Sequence, residues 1–161
     1  MDHLHGRQRH SNLLGGLAMI RQVAYLPRYD WTIKAYFAVS DYWVNEIMAE
    51  LAYAGANEEE MRLSYISLMS GNLNEGICFS GENSRTSIMV VAKTSSAAEF
   101  FNSTTHEFCH LAAQIAQMVG VDPAGEEVAY MVGDMARDFY PNIRHLLCEC
   151  CRKGKHKVHQ H

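Results

Sequence analysis

The stretch Thr104-Thr105-His106-Glu107-Phe108-Cys109-His110 has the residue types and spacing to do bond chemistry. It reads H-E-x-x-H. Two histidines four apart fall on one face of a helix, one turn apart, so both imidazoles can reach a single metal ion. The glutamate beside the first histidine projects obliquely. There it can deprotonate an attacking water without ligating the metal. Such a set supports metal-assisted hydrolysis, with Zn2+ as the expected ion and Glu107 as the expected base.

The elements around the pattern must position it. With His106 set at zero and 100° per residue, Phe108, Leu111, Ala112, Ile115, Met118 and Val119 gather on the opposite side as the expected core face. His106 and His110 point away from it, with Ala113 and Gln117, and Ala116 flanks them. The small Ala113 and Ala116 leave room for a covering helix. The next helical pattern, Pro123 to Phe139 after the cap Asp122, has three stripes. Val128, Met131, Val132, Met135 and Phe139 are apolar. Glu127, Asp134 and Asp138 are charged. Glu126, Tyr130, Gly133 and Arg137 form the third, and a helical glycine, which costs about 1 kcal/mol against alanine, suggests close helix contact there. The spacing therefore predicts that Glu126 faces the histidine pair and completes three protein ligands, with Glu127 as its rival. Tyr130 would donate a hydrogen bond to the tetrahedral oxyanion, or else pack and orient Glu126. Arg137 reads as a salt-bridged or solvated residue ahead of a substrate contact.

Before the pattern, Asp30 to Val39 is rich in β-branched and aromatic residues and reads as a strand. Ser40-Asp41 offers a cap for a helix through Val44, Ile47, Met48 and Leu51, ended by Ala54-Gly55. Asn57 and Glu60 form a capping box for a second helix that Gly71-Asn72 breaks. Gly76 to Ser80 and Thr86 to Ala92 read as two strands around a turn at 81–84. Ser95-Ser96 opens a helical segment with Phe100 and Phe101. The motif helix runs from Ser103 to Val119 and stops at Gly120. Pro141 interrupts the following helix, and Ile143 to Leu147 is a last amphipathic piece. This order predicts an α+β fold, a small mixed sheet packed against helices. Residues 1–12 are expected to be disordered, 13–151 to form one domain, and the basic, histidine-rich tail 152–161 to fray.

Composition narrows the function classes. The chain has 161 residues, 48% hydrophobic and 20% charged, with a formal net charge of -4. No basic stripe with interleaved aromatics appears, so no nucleic-acid partner is expected. No apolar run approaches the ~18 residues of a membrane span. The five cysteines and the lack of a secretory h-region suggest a cytoplasmic protein with reduced thiols. Three of them crowd into Cys148-Glu149-Cys150-Cys151. Read as C-x-C-C, with His145 and the tail histidines nearby, the run is expected to be an oxidation-prone tail rather than a metal cluster. Cys109 and Cys78 are expected to pack, and His145 to lie at the surface.

His106-Glu107-Phe108-Cys109-His110 followed by Glu126-Glu127-Val128-Ala129-Tyr130 resembles the zincin metallopeptidases, closest to the compact gluzincin-like kind that includes the ImmA/IrrE type. In that kind an opening E-x-x-x-aromatic supplies the glutamate ligand, a spacing that Glu126 and Tyr130 match. The metzincin pattern fails at Ala113 and Ala116. More loosely, the run from Asp30-Trp31 through Gly76 to Tyr130 resembles small uncharacterised proteins of bacterial phages and mobile elements. The resemblance implies the zincin fold, with the strand Thr86 to Ala92 beside the active helix. If that strand has a free edge, a peptide substrate would add to it. The expected function is thus a zinc-dependent peptide hydrolase acting on a protein or peptide. The alternative is a non-catalytic zinc-containing binding or regulatory module on the same scaffold.

Overall fold

The run Trp31–Val39 is the spine of the protein. Trp31, Ile33, Ala35 and Phe37 alternate onto one face of an extended chain, and all four are fully buried. A computed structural model describes residues 19–39, 43–70 and 76–153. The expected polar start, the Ser40-Asp41 cap, the Gly71-Asn72 break and the tail beyond residue 153 lie outside these.

In chain order the elements are β1 (Ile20–Leu26), β2 (Trp31–Val39), α1 (Val44–Ala54), α2 (Glu58–Met69), β3 (Ile77–Gly81), β4 (Thr86–Ala92), α3 (Ala97–Met118), α4 (Glu126–Ile143) and α5 (Glu149–Arg152). Short 3-10 turns occupy Pro27–Tyr29 and Arg144–Leu147. The result is a mixed α/β fold of four strands and five helices. The sheet order is β1-β2-β4-β3. β1 pairs antiparallel with β2, β2 parallel with β4, and β4 antiparallel with β3. The expected hairpin of β3 and β4 is therefore present. β4, however, lies inside the sheet, and among the described residues β3 is the edge strand on that side, so the edge considered for Thr86 to Ala92 falls to β3. No helix among the described residues is long and apolar enough to cross a membrane.

Two apolar layers cover the sheet. On one face α3 and α4 pack through Phe100, Phe108, Leu111, Ile115, Met131, Met135, Phe139 and Ile143 onto Trp31, Ile33, Phe37, Met89 and Val91. On the other, α1 contributes Val44, Ile47 and Leu51 and α2 contributes Leu68, against Tyr36, Ile88 and Val90. Near the end of β2 the pairing register to β4 shifts between Phe37 and Val39, where Ala38 takes a φ of 56°. This bulge sends Ala38 to the α3/α4 layer and Val39 to the α1/α2 layer.

Local signals account for most boundaries. Asn57 accepts from the Glu60 amide and Glu60 from the Asn57 amide, the full capping box of α2. Gly55 ends α1 in the left-handed region at φ 102°. β1 is a strand that the sequence conceals. Its inward positions include Gln22, while Val23 and Tyr25 are exposed, so the apolar alternation is blurred. α3 is one helix rather than two segments, because Ser96 caps it through the Glu99 amide and no breaker follows. Asp122-Pro123 forms a turn instead of a helix start. The Asp122 side chain accepts from the Ala124 amide and its carbonyl from the Gly125 amide, so α4 begins at Glu126. Pro141 lies within the last turn of α4, which ends two residues later. Order also continues past the expected limit, since Arg152 donates to the carbonyls of Leu146 and Thr94.

Gly133 does not mark a helix contact. A Cβ placed there meets nothing within 4 Å, because the Glu126, Tyr130 and Arg137 stripe faces solvent. Gly133→Ala should therefore stabilise the protein by about 0.5–1 kcal/mol, through lower unfolded-state entropy alone. A rise in the urea midpoint at unchanged slope checks this, and a fall would mean that a neighbour occupies that space.

Candidate metal centre

α3 sits on the sheet in a rotation set by one polar chain. Trp31 Nε1 donates to Ser87 Oγ at 2.8 Å, Ser87 and Ser80 share a hydrogen bond at 2.7 Å, and Ser80 Oγ donates to Gln114 Oε1 at 2.9 Å. Gln114 Nε2 points back to the Cys78 carbonyl at 3.5 Å. One flank of α3 is thereby turned toward the edge strand β3. His110 lies one turn before Gln114 and His106 two turns before, at the outer margin of that flank. Both histidines are exposed, together with Cys109 and Gln117, while Phe108, Leu111, Ala112, Ile115 and Ala116 are buried. Cys109 is thus at the surface, not packed as expected.

The two imidazoles converge. His106 Nε2 and His110 Nε2 are 2.9 Å apart and the ring planes meet at 78°. Two nitrogens on one tetrahedral zinc stand ~3.3 Å apart, from Zn–N bonds of ~2.05 Å. A small opening of the pair would bring the two nitrogens to that spacing, so they could supply two ligands of a zinc ion.

Glu107 lies on the same flank as Gln114, and it is 4% exposed. Its side chain is tucked beneath the start of β3. A Cβ on Gly76 would come within 2.6 Å of Glu107 Cδ and 2.5 Å of the Val90 carbonyl oxygen. The absence of a side chain at residue 76 is what makes space for the carboxylate. Cys78 Sγ donates to the Glu107 carbonyl oxygen at 3.4 Å. Burial, reinforced by the Glu107 charge, pushes this thiol far above the ordinary cysteine range. Cys78 is a half-buried neighbour of Glu107 and no nucleophile at neutral pH. Cys78 is expected from the sequence only to pack, and the parts played by Gly76 and Gln114 are not read from it. A glycine directly before a strand was the available signal for a close approach.

Glu126 does not join the pair. α3 and α4 form an antiparallel hairpin with Phe108 stacked on Phe139, ring centroids 5.8 Å apart. His106 and His110 lie two residues either side of Phe108. Glu126 lies thirteen residues before Phe139, about 20 Å along the axis at 1.5 Å per residue. It is also exposed, on the solvent stripe. Among the described residues, no third His, Cys, Asp or Glu closes a group of mutually near ligand atoms with the pair. The helix faces gave an angle but not a level along the axis.

The other α4 candidates turn to the far side. Glu127 accepts from Arg28 Nη2 at 2.6 Å and from the Tyr29 hydroxyl at 2.5 Å. Burial and this bond raise the Tyr29 pKa. Tyr130, 64% exposed, lines a surface groove with Arg28, Tyr29, Asp134 and Arg137, on the β1 side of α4. It is not placed to serve an oxyanion at the histidine pair. Arg137 is salt-bridged to Asp134 at 2.8 Å and Asp138 at 3.0 Å. His145 is exposed, as expected.

A second group of ligands is assembled where none was expected. The sulfurs of Cys148, Cys150 and Cys151 all lie within 4.8 Å of one another, so the three could hold a metal ion. Cys148 and Cys151 stand at C-x-x-C spacing, the signal that reading the run as C-x-C-C obscured. Hydrogen bonds from the Cys150 thiol and the Cys150 and Cys151 amides pull Cys148 down to about 6.

Comparison of the chain with family models, with curated proteins and with solved structures finds no match.

Gly76→Ala tests the packing of Glu107. The new methyl group must displace Glu107 or the β3–β4 pairing. We expect a loss of about 1–3 kcal/mol in urea unfolding, larger than for alanine at a glycine whose Cβ site is open. An unchanged midpoint would show that Glu107 is not held there.

Proposed function

We propose that this protein is a zinc-dependent peptide hydrolase of zincin-like design, with its metal at His106 and His110. One observation carries the reading: the convergent, exposed histidine pair lies on the flank of α3 that holds Glu107 beneath the edge strand β3. Acceptance of a metal, placement of a base and presentation of a strand edge thus meet along one border of the molecule. Glu126 and Tyr130 have no part in this version of the site.

Zinc, when bound, supplies Lewis acidity to the scissile carbonyl. The protein's own groups do the remainder. The imidazoles of His106 and His110 hold the ion. Glu107, fixed by its close fit against Gly76, accepts the proton of the attacking water and delivers it to the leaving amine. Fixing the base in advance lowers the entropy lost on reaching the transition state. An extended peptide would pair with the outer edge of β3. A groove of about 380 Å³ follows this edge, lined by Leu63 of α2, Ile77 to Ser80, Gln114 and Met118. It offers apolar room for alternate side chains of such a strand.

A second reading keeps the zinc and drops the turnover. The pair lacks a third ligand among the described residues, an arrangement suited to a binding module whose partner completes the coordination.

Metal analysis and a peptide-hydrolysis assay separate these. In a Cys148→Ser background, where the thiol group is broken, His106→Ala and His110→Ala should each abolish the remaining zinc binding. Glu107→Gln should retain zinc and lose hydrolysis by a factor on the order of 10²–10⁴. Glu126→Gln should leave zinc affinity unchanged, and a tenfold loss there would restore Glu126 as a ligand. Stoichiometric peptide binding without chelator-sensitive turnover would favour the module, and a folded wild type that takes up no zinc would remove both readings.

A further inference from the structure

The C-terminal thiols form a separate centre. Cys148 precedes α5, and the turn that follows is closed by backbone bonds from Arg152 N to the Cys148 carbonyl and from Lys153 N to the Glu149 carbonyl. That turn brings Cys150 and Cys151 round to Cys148, with all three sulfurs mutually within 4.8 Å. The turn is also anchored to the body. Glu149 Oε1 accepts the Ala97 amide, the first of α3, at 2.6 Å. Arg152 reaches back to the carbonyls of Leu146 and Thr94. Three sulfurs held on an anchored turn are preorganised, so little conformational entropy is lost when a ligand draws them together.

We propose that Cys148, Cys150 and Cys151 bind a thiophilic d10 cation, Zn2+ or Cu+, at a site distinct from the His106/His110 pair. The donor set selects the ion class. It is all sulfur, and soft thiolates favour zinc and cuprous ions over the hard magnesium and calcium. The spacing suits it, because thiolates on tetrahedral zinc stand ~3.8 Å apart, given Zn–S bonds of ~2.3 Å. Small side-chain rotations bring the three sulfurs to that distance. Three thiolates leave one position of a tetrahedral ion for a further ligand, or satisfy a trigonal cuprous ion fully. The proposal is independent of the hydrolase reading, and either can fail alone.

The test is thiol protection in the reduced full-length protein. Free cysteines are alkylated with and without one equivalent of Zn2+ or of Cu+, and the rates are read site by site by peptide mass spectrometry. One of the two ions should slow Cys148, Cys150 and Cys151 together by at least tenfold and leave Cys109 unaffected, and the ion that does so is the one bound. In His106→Ala/His110→Ala the protection should persist. In Cys148→Ser, checked for an unchanged far-ultraviolet spectrum, Cys150 and Cys151 should lose it. Equal rates with and without either ion would overturn the proposal, as would protection that survives Cys148→Ser.

Discussion

Four phenylalanines fix the register on which the molecule depends. Phe37 of β2 meets Phe100 edge-on at 6.2 Å and Phe139 at 5.4 Å, and Phe108 stacks on Phe139 at 5.8 Å. All four are buried. Each such ring removes a large apolar area from water, and the pairings add about 0.5–1.5 kcal/mol apiece. Because the cluster joins β2, α3 and α4, it sets the level of each helix against the other and against the sheet. A slip of one turn would separate the stacked rings and leave cavities in the layer. The same register places the histidines opposite the last turns of α4 and Glu126 at its far end. The spatial relations of the candidate ligands follow from aromatic packing, not from the ligands.

Rotation is settled by different physics. Trp31, Ser87, Ser80 and Gln114 make a chain of hydrogen bonds across three strands and a helix. Ser80 and Ser87 are buried, so an unpaired hydroxyl or indole N–H there would cost roughly 1–3 kcal/mol. Apolar packing alone tolerates small rotations of a helix. A buried polar chain does not, since every bond has a narrow angular range. Gln114 therefore decides that the Glu107 flank faces β3 and that His110 and His106, about 60° and 100° further round the axis from Glu107, face out. A glutamate so close to an edge strand would collide with any side chain at residue 76, and Gly76 is the local consequence.

Much of this was legible in the sequence, for physical reasons that differ by element. The capping box at Asn57, the glycine stop at Gly55, the β-branched run of β4 and the buried face of α3 are short-range signals, and each is realised. β1 was hidden because its outward positions hold Val23 and Tyr25 while Gln22 points inward. The third ligand failed for a geometric reason. A helical wheel gives direction around the axis, whereas ligation also needs the level along it, which Phe108 and Phe139 determine through a tertiary contact. Gly133 misled in a related way. A helical glycine can signal close approach, yet this one borders open space, and the close approach lies at Gly76, outside any helix. The thiol cluster needed the anchoring of α5 to Ala97 and Thr94 before its spacing could mean anything.

α3 links these features, and its construction bears on how a metal would act on the protein. Its first turn is capped by Ser96 and by Glu149 from the C-terminal end. Its middle is held by Phe108 and its flank by Gln114. Held at three points, the helix presents His106 and His110 in a fixed relation before any ion arrives. Binding at the pair then orders two exposed side chains and little else, so the metal is not required to build the fold there. The thiols differ in this respect. They sit at the cap and within a four-residue helix whose attachment includes hydrogen bonds to α3 and its approach. An ion joining Cys148 to Cys150 and Cys151 would close that turn covalently in effect, and would strengthen the Glu149 cap on α3 with it. The two candidate centres thus divide along one helix: the histidines draw on rigidity the aromatic register already supplies, while the thiolates would tie the anchored turn of α5 more firmly to the start of α3.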